Sequence, residues 1–433
     1  MTKQNSSLQL DIQKINNNQC TLTVSVPQIL VQKIYDETIK DQQKIVSAYG
    51  FSKGCVPIEY IKKNFGPAIM EHLKEFLFNY FVLGFLYKQL RIQKIFFTGE
   101  PRLTDMKIDL HKGAHFTFNI NTFSELPLKN WKFFPFKAPK RKKYKDLDRQ
   151  VESFIKHEKE ELKKKDHSLI ALNDWISFNI SIVNKNHQPI LENYKENVWL
   201  KIGNEAGDKE FQDLFISKKI GETFYTNAQC IQDYFSAAMN TNYTFCIEII
   251  DILPASFFCL EQFKKHFKLK TNKETTHRLI EVFSFRNDLS QRQSMVEESL
   301  KLLLNKHKFN VPPFITLRQQ KKVLAAIKNN PDYHVYRMQK DFEETVNKLA
   351  EKQIKEIILL DQVASSENIA IGHDDIKQYL NLTNRPRMKN FIYVNPPETK
   401  LSGRELPISS EILKQTCLRE KTLNYIIHHL TKA

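Results

Sequence analysis

The first clear pattern along the chain is an alternation of apolar and polar residues between positions 20 and 26. Leu22, Val24 and Val26 fall on one face, and the threonines and the serine between them fall on the other. A period of two is typical of a half-buried strand. After Pro27 the apolar positions recur at three and four residues as far as Gly50, so the sequence predicts a helix behind this strand.

A second helical pattern, rich in aromatic residues, occupies residues 58–90, and two more strands are predicted at 106–110 and 116–120. A sheet packed against helices makes this first part an α+β module. From Leu126 the pattern changes, because three prolines and many lysines favour an extended and basic segment. We interpret that segment as a connector.

Short strands return beyond the connector, at 175–183, 197–202 and 244–252, and they predict a compact β-rich module of roughly 90 residues. From residue 255 onward the pattern is almost purely helical. Helices are predicted at 287–307, 314–329, 336–364, 373–380 and 410–430. Within the third of these, one apolar stripe is expected to be buried: Val346, Leu349, Ala350, Ile354, Ile357 and Ile358.

Together these patterns predict an α+β multidomain fold for the 433 residues, since a chain of this length exceeds a single compact core. We divide it into four parts. The first is an N-terminal α+β module at 1–122, and the second is a basic extended linker at 123–148. A β-rich module follows at 149–253, and a helical C-terminal domain occupies 254–433. The longest apolar stretch, 76–87, is too short to span a bilayer, so no membrane contact is expected.

Charge adds the first functional information. The formal net charge is +16, which favours partners that carry negative charge. Half of this excess lies between residues 129 and 165, where 12 Lys and 2 Arg face 2 Asp and 4 Glu. Within it, residues 137–145 read KAPKRKKYK. This run is compatible with an arm that contacts RNA and equally with a solvated linker.

Signatures of catalysis are missing from the sequence. It contains no G-x-x-x-x-G-K loop, no H-E-x-x-H and no G-x-S-x-G. The six cysteines are widely spread without a C-x-x-C pair, and we interpret them as buried thiols. His373, Asp374 and Asp375 are adjacent, but the start of a helix explains them better than a metal site. We therefore expect no metal and no cofactor.

The most informative motif is the turn between the two predicted N-terminal helices. It reads Gly50, Phe51, Ser52, Lys53, Gly54, Cys55, Val56, Pro57. This resembles the G-F-R-x-G-x-x-P loop of trigger factor, the bacterial ribosome-associated chaperone family, and Ser52 replaces the usual Arg. The following YIKKNFG and the order of the four parts are also similar. The resemblance implies that Gly50, Phe51, Ser52, Lys53, Gly54 and Pro57 bind the ribosome, and we call residues 50–57 the docking loop.

The resemblance also implies that the β-rich module is FKBP-like, of the peptidyl-prolyl isomerase type. By loose alignment, the residues of the prolyl pocket would be Ile180, Phe211, Tyr234 and Phe245. Two features depart from the family pattern. Ile180 is aliphatic where such pockets have an aromatic, and the segment AGDKEF brings Asp208 and Lys209 to an apolar pocket floor. Burying an unpaired charge is costly, so we expect a remodelled pocket with weak or no isomerase activity.

The function implied is a cytoplasmic chaperone that binds nascent chains at the tunnel exit and keeps them folding- or export-competent. Its expected partners are the large ribosomal subunit, through protein and ribosomal RNA, and unfolded nascent polypeptides, with a homodimer off the ribosome left open. Two alternatives stay open at this point. One is a working prolyl isomerase as the main activity, and the other is a basic RNA-binding protein of unrelated function.

Overall fold

The structure is a computed structural model with side chains. It describes most of the chain, namely residues 7–16, 18–123, 126–128, 130–139, 149, 151–156, 160, 169–191, 195–255, 260–283, 291–383, 392–397, 399–401 and 403–432. Of the basic run at 137–145, residues 140–145 lie outside the described residues.

The N-terminal module contains an antiparallel sheet of four described strands. They are β1 (Gln9–Asn16), β2 (Gln19–Val26), β3 (Phe97–Asp109) and β4 (Gly113–Thr122), in the order β1-β2-β4-β3. In β2 the apolar positions are buried against the helices, as the alternation predicted. Strand β1 was not predicted, although Leu10 and Ile12 alternate with polar residues there and are partly buried against the core.

Two long helices cover this sheet. Helix α1 spans Gln28–Ile45, and α2 (Ile58–Leu77) continues through a π-helical turn, Phe78–Val82, into α3 (Leu83–Ile92). The predicted helix at 58–90 is therefore one continuous but locally widened element. A π turn holds one extra residue, which shifts the faces of the helix on either side of it.

The β-rich module is an antiparallel sheet in the order β11-β6-β5-β8-β7. Its strands are β5 (Trp175–Val183), β6 (Glu196–Lys201), β7 (Thr223–Thr226), β8 (Thr244–Leu253) and β11 (Ile408–Ser409). Two short helices accompany it, α4 (Lys209–Phe215) and α5 (Gln229–Phe235). The edge strand β11 comes from the C-terminal part of the chain, so this sheet is completed across the proposed boundary at residue 253.

The described C-terminal helices are α6 (Leu260–His266), α7 (Asn272–Phe283), α8 (Gln291–Lys306), α9 (Pro313–Lys328), α10 (Tyr333–Arg337), α11 (Phe342–Ser366), α12 (His373–Thr383) and α13 (Ser410–Leu430). The helix predicted at 410–430 is confirmed. The single helix predicted at 336–364 is wrong at its start, because a turn at 338–341 separates α10 from α11. Leu349 is 38% exposed, so its predicted burial is also wrong.

Between α12 and α13 the chain forms a small hairpin of β9 (Lys400–Leu401) and β10 (Arg404–Glu405), which we call the C-terminal hairpin. It lies against the short 3₁₀ turn Ala206–Asp208 of the β-rich module. The C-terminal part of the chain therefore contacts this module through both the hairpin and strand β11.

The described part of the predicted linker also packs on the helices. Trp131 is almost fully buried among residues of α8, α11 and α13. Its indole N–H donates to the Glu367 carboxylate at 3.2 Å, and the same carboxylate accepts from the Tyr425 hydroxyl at 2.8 Å. Residues 126–128 and 130–136 are thus anchored to the C-terminal domain by an aromatic residue and its hydrogen bond. The boundaries at 122, 148 and 253 stay predictions.

The structure also addresses membrane contact. In the described residues, no helix is long and apolar enough to cross a bilayer.

Candidate functional site

The docking loop is built as a tight turn at the far end of α1 and α2. Gly50 and Gly54 have φ angles of +82° and +85°, in the left-handed region that favours glycine. The Phe51 N–H donates to the Ala48 carbonyl and the Cys55 N–H to the Ser52 carbonyl, each at 3.0 Å. These bonds satisfy part of the backbone and hold the intervening side chains outward.

The base of the loop is anchored in the module. Val56 is fully buried, and its carbonyl accepts a hydrogen bond from the Gln43 side chain of α1 at 2.8 Å. Pro57 then leads directly into α2, where its fixed φ suits a helix start. Because the loop is fixed at its base and exposed at its tip, substitutions at the tip can be expected to leave the fold intact.

The tip presents two exposed aromatic side chains besides Phe51 that the motif did not include, Tyr49 and Tyr60. Tyr49 is fully exposed, while Phe51 and Tyr60 are 42% and 39% exposed, with the ring centroids of Phe51 and Tyr60 6.3 Å apart. We call these three residues the aromatic tip. An aromatic residue just before the glycine of a polar turn was the available signal for Tyr49. Exposed aromatic residues grouped in this way are typical of an interaction site.

The charge around the tip is modest and positive. Ser52 and Lys53 are both exposed, and Ser52 supplies a hydroxyl where the resemblance calls for a guanidinium. The ammonium nitrogen of Lys62 lies 3.6 Å from a carboxylate oxygen of Glu59. This ion pair neutralises part of the positive charge at the start of α2. The loop therefore offers mainly aromatic area with one cation, Lys53, within it.

The four predicted pocket residues all lie in the β-rich module, but three of them are inaccessible. Ile180, Phe211 and Phe245 are at most 1% exposed, and Tyr234 is partly buried beside them. They belong to a core that is continuous with the N-terminal module. Their role in binding a prolyl substrate stays a prediction, and it would require this core to open.

Tyr80 from the π turn enters the β-rich module beside one of these residues, Ile180. Its ring lies edge-on to Phe235, with the centroids 4.9 Å apart. Its hydroxyl accepts from the Ile182 N–H at 3.3 Å and donates to the Ile180 carbonyl at 3.5 Å. Burial raises the pKa of this phenol well above its ordinary value. Because Tyr80 sits within a continuous apolar helix, no local pattern in the sequence distinguishes it from an ordinary core residue.

Polar contacts surround this aromatic insertion. The Glu75 carboxylate accepts from the Ser236 hydroxyl at 2.8 Å and from the N–H groups of Ala237 and Ala238 at 3.1 and 3.2 Å. The Asn79 side chain donates to the Phe235 carbonyl at 2.8 Å. These bonds join α2 and the π turn to the segment after α5.

A second polar group near this contact is centred on Tyr243 of the β-rich module. Its buried hydroxyl lies 2.7 Å from His72 Nε2 and also bonds to the Thr38 hydroxyl. Burial lowers the pKa of His72 to about 4, so the imidazole is neutral at pH 7. We call the contacts of His72, Glu75 and Tyr80 with the β-rich module the module joint.

Asp208 lies in the segment AGDKEF, where an unpaired buried charge would be costly. Its side chain is 1% exposed, yet it is not unpaired. One carboxylate oxygen accepts from the Glu405 N–H of the C-terminal hairpin at 2.7 Å, and the other accepts from the Glu205 N–H at 3.3 Å. A side chain at Gly203 would meet this carboxylate at 1.9 Å, so glycine is required there. Lys209 begins α4 and is exposed.

The C-terminal hairpin also covers Phe211. The Arg404 guanidinium lies over the Phe211 ring, 5.1 Å from its centroid, and within 3.8 Å of the carboxylates of Glu210 and Asp233. This arrangement is a cation–π contact framed by two ion pairs. Of the predicted pocket residues, Ile180 is thus contacted by Tyr80 and Phe211 by Arg404.

Exposed apolar side chains concentrate on another part of the molecule, the arm formed by α9, α10 and α11. Large apolar side chains exposed there are Phe314, Leu317, Val335, Tyr336, Met338 and Leu349. The arm has only a thin core of its own, in which Val323, Val346 and Ala350 are buried. Apolar groups on a rigid hairpin surrounded by lysines suit weak contacts with varied unfolded segments.

Residues 8–157 match the family described as bacterial trigger factor protein (TF), and residues 261–427 match the C-terminus of the same family. The curated relatives include the proteins named trigger factor of Rickettsia canadensis (strain McKiel) and Rickettsia prowazekii (strain Madrid E). Each is 23% identical and aligns over 94% of this chain, covering 91% and 90% of the relative, respectively.

A solved structure is similar over 97% of this chain and 100% of its own, with 14% identity and a TM-score of 0.35. Its title is "Promiscuous Substrate Recognition in Folding and Assembly Activities of the Trigger Factor Chaperone".

The buried His72 predicts a pH dependence of stability. Its pKa is about 4 in the folded chain and about 6.5 when unfolded, so the unfolded state takes up the proton first as the pH falls. The stability that neutral His72 contributes to the folded state is therefore fully present above about pH 6.5, and it is lost as the pH falls from there to about 4. Between pH 7 and pH 5, the free energy of unfolding measured in urea should fall by about 2 kcal/mol more in the wild type than in His72→Gln. Equal losses in the two proteins would contradict the burial of His72.

Proposed function

The chain belongs to the trigger factor family, whose members are ribosome-associated chaperones, and we propose that it binds the large ribosomal subunit near the tunnel exit through the docking loop. The observation that carries this proposal is the aromatic tip, which is exposed on a loop anchored at its base by Val56 and Gln43. Gly50, Phe51, Ser52, Lys53, Gly54 and Pro57 shape the contact, and Tyr49 extends it.

The chemistry of this contact differs from a charge-dominated one. With Ser52 in place of Arg, the largest gain on binding comes from burying the rings of Tyr49 and Phe51. Lys53 adds attraction to ribosomal RNA or to an acidic protein surface, and salt screens this part. Aromatic burial therefore supplies most of the affinity, and Lys53 contributes mainly to the rate of association.

We assign client binding to the exposed face of the α9–α11 arm. Val335 and Met338 are 65% and 85% exposed, and methionine adapts its shape to different partners. Leu317 on α9 extends the same kind of surface. Nascent chains, held there by dispersed apolar contacts, would be kept folding- or export-competent in the cytoplasm. Association into a homodimer off the ribosome stays a prediction.

We assign the β-rich module a structural role rather than a catalytic one. An FKBP-type site acts by surrounding a twisted prolyl amide with aromatic side chains, so it must admit the substrate. Here Tyr80 and Arg404 occupy the space around Ile180 and Phe211. A substrate would have to displace a buried phenol and its two backbone hydrogen bonds, which would cost about 1–3 kcal/mol for each group left unpaired.

The first test concerns docking. Removing both rings by Tyr49→Ala with Phe51→Ala should weaken co-sedimentation with ribosomes at least tenfold, because most of the buried aromatic area is lost. The matched control, Phe133→Ala with Tyr225→Ala, also removes two exposed rings but lies elsewhere, and it should pellet as the wild type does. Equal pelleting of the two variants would remove the aromatic tip from the mechanism. Pelleting that free RNA abolishes would instead favour a general RNA-binding protein.

The second test separates chaperoning from isomerisation. The full chain should suppress aggregation of an unfolded client yet leave the proline-limited phase of its refolding unaccelerated. The full chain is required because β11 and the Glu405 N–H come from outside 149–253. Val335→Glu with Met338→Glu should weaken aggregation suppression, whereas Lys321→Gln with Lys328→Gln on the same arm controls for the change of two units in net charge. Acceleration of the proline-limited phase by the wild type would overturn the structural role of the module.

A further inference from the structure

A cleft with four cations among its ten lining residues lies between α6, α7 and the end of α13, remote in sequence from the docking loop. It has a volume of about 460 Å³. Its lining residues are Phe267, Lys268, Leu269, Lys270, Glu274, His277, Arg278, His428, Thr431 and Lys432. Among these described residues, three lysines and one arginine are permanent cations, and Glu274 is the one acid. Such an excess within one concave site generates a positive potential that attracts a polyvalent anion.

The single acid in the cleft is already committed to the backbone. The Glu274 carboxylate accepts from the Lys270 N–H at 2.7 Å and from the Thr271 N–H at 3.2 Å. These hydrogen bonds lower its pKa, which holds it ionised as a cap on α7. In the described residues, Lys268, Lys270 and Lys432 have no carboxylate within ion-pair distance. Their charges are therefore available to a ligand.

The geometry of Lys268 holds its charge at the cleft. Its φ is +53°, and the chain turns there through hydrogen bonds from Lys268 N–H to Lys265 O at 3.1 Å and from Leu269 N–H to Lys264 O at 2.8 Å. This is the left-handed end of a helix, where glycine is usual. The ammonium lies 5.0 Å from the centre of the Tyr425 ring, so an aromatic surface borders the cation. Partial burial and the neighbouring Lys432, Lys268 and Lys270 also lower the pKa of His428.

We propose that this cleft binds the phosphodiester backbone of single-stranded RNA. A backbone of regularly spaced negative charges matches several lysines and an arginine that converge on one cleft. Unfolded clients match it less well, since their carboxylates are sparse and mixed with apolar groups, while the cleft offers few exposed apolar atoms. This inference goes beyond the docking of the chaperone and does not depend on it, because the site would bind RNA in the absence of ribosomes.

The test uses the full chain and a fluorescein-labelled 12-nucleotide oligouridine in a polarisation assay. All proteins carry Gln at positions 140–143 in place of KRKK, so that the separate basic run contributes nothing. The variant is Lys268→Gly with Lys270→Gln and Lys432→Gln. Glycine suits the φ of position 268, so the melting temperature should not fall. The matched control replaces Lys321, Lys328 and Lys340 of the arm by Gln and changes the net charge equally.

We expect the cleft variant to bind the RNA at least tenfold more weakly than the parent, and the control to bind as the parent does. The slope of log K against log salt concentration should become less steep by about two. Each phosphate of a single strand that the protein neutralises contributes about 0.7 to the steepness of this slope. Unchanged binding by the cleft variant, or an equal loss in the control, would overturn the proposal. Displacement of the RNA by polyglutamate at equal charge concentration would also overturn it and would assign the cleft to acidic polypeptides.

Discussion

Tyr80 is fully buried where the π turn after α2 meets strand β5, and its hydroxyl bonds to the backbone of that strand. A tyrosine in this position needs both a close-fitting aromatic cavity and a polar partner, so the helix and the sheet must meet in one register. The other contacts of the module joint, from His72 and Glu75, lie along the same helix. The docking loop lies at the other end of α2, and its orientation relative to the β-rich module is therefore set by this joint.

The same contact bears on the prolyl pocket that was expected in the β-rich module. Tyr80 packs on Phe235 and bonds to the Ile180 carbonyl, and Arg404 lies over the ring of Phe211. Both groups come from outside the β-rich module. Strand β11 completes the sheet in the same way. The module thus connects the N-terminal and C-terminal parts of the chain.

The local sequence pattern was sufficient to predict an element wherever the periodicity of that element alone determines which of its residues are buried. Strand β5 and helix α13 have the predicted bounds, because their periodicity and their flanking residues agree. Contacts between distant segments were not predictable in this way. Strand β11 has two residues and no period, and the partner of the buried Asp208 is a backbone N–H nearly two hundred residues further along. The motif at 50–57 identified the docking loop, but the exposure of Tyr49 became visible only with the structure.

The central claim is that the exposed loop between α1 and α2 contacts the ribosome directly. Photo-crosslinking from a benzophenone side chain at position 52 tests it most directly, because Ser52 is exposed within the loop and contributes no large side chain. With translating ribosomes, we predict crosslinks from position 52 to components of the large subunit. A benzophenone at Lys185, exposed on a turn of the β-rich module, should give few such crosslinks. Equal crosslinking from the two positions, or none from position 52, would contradict the account.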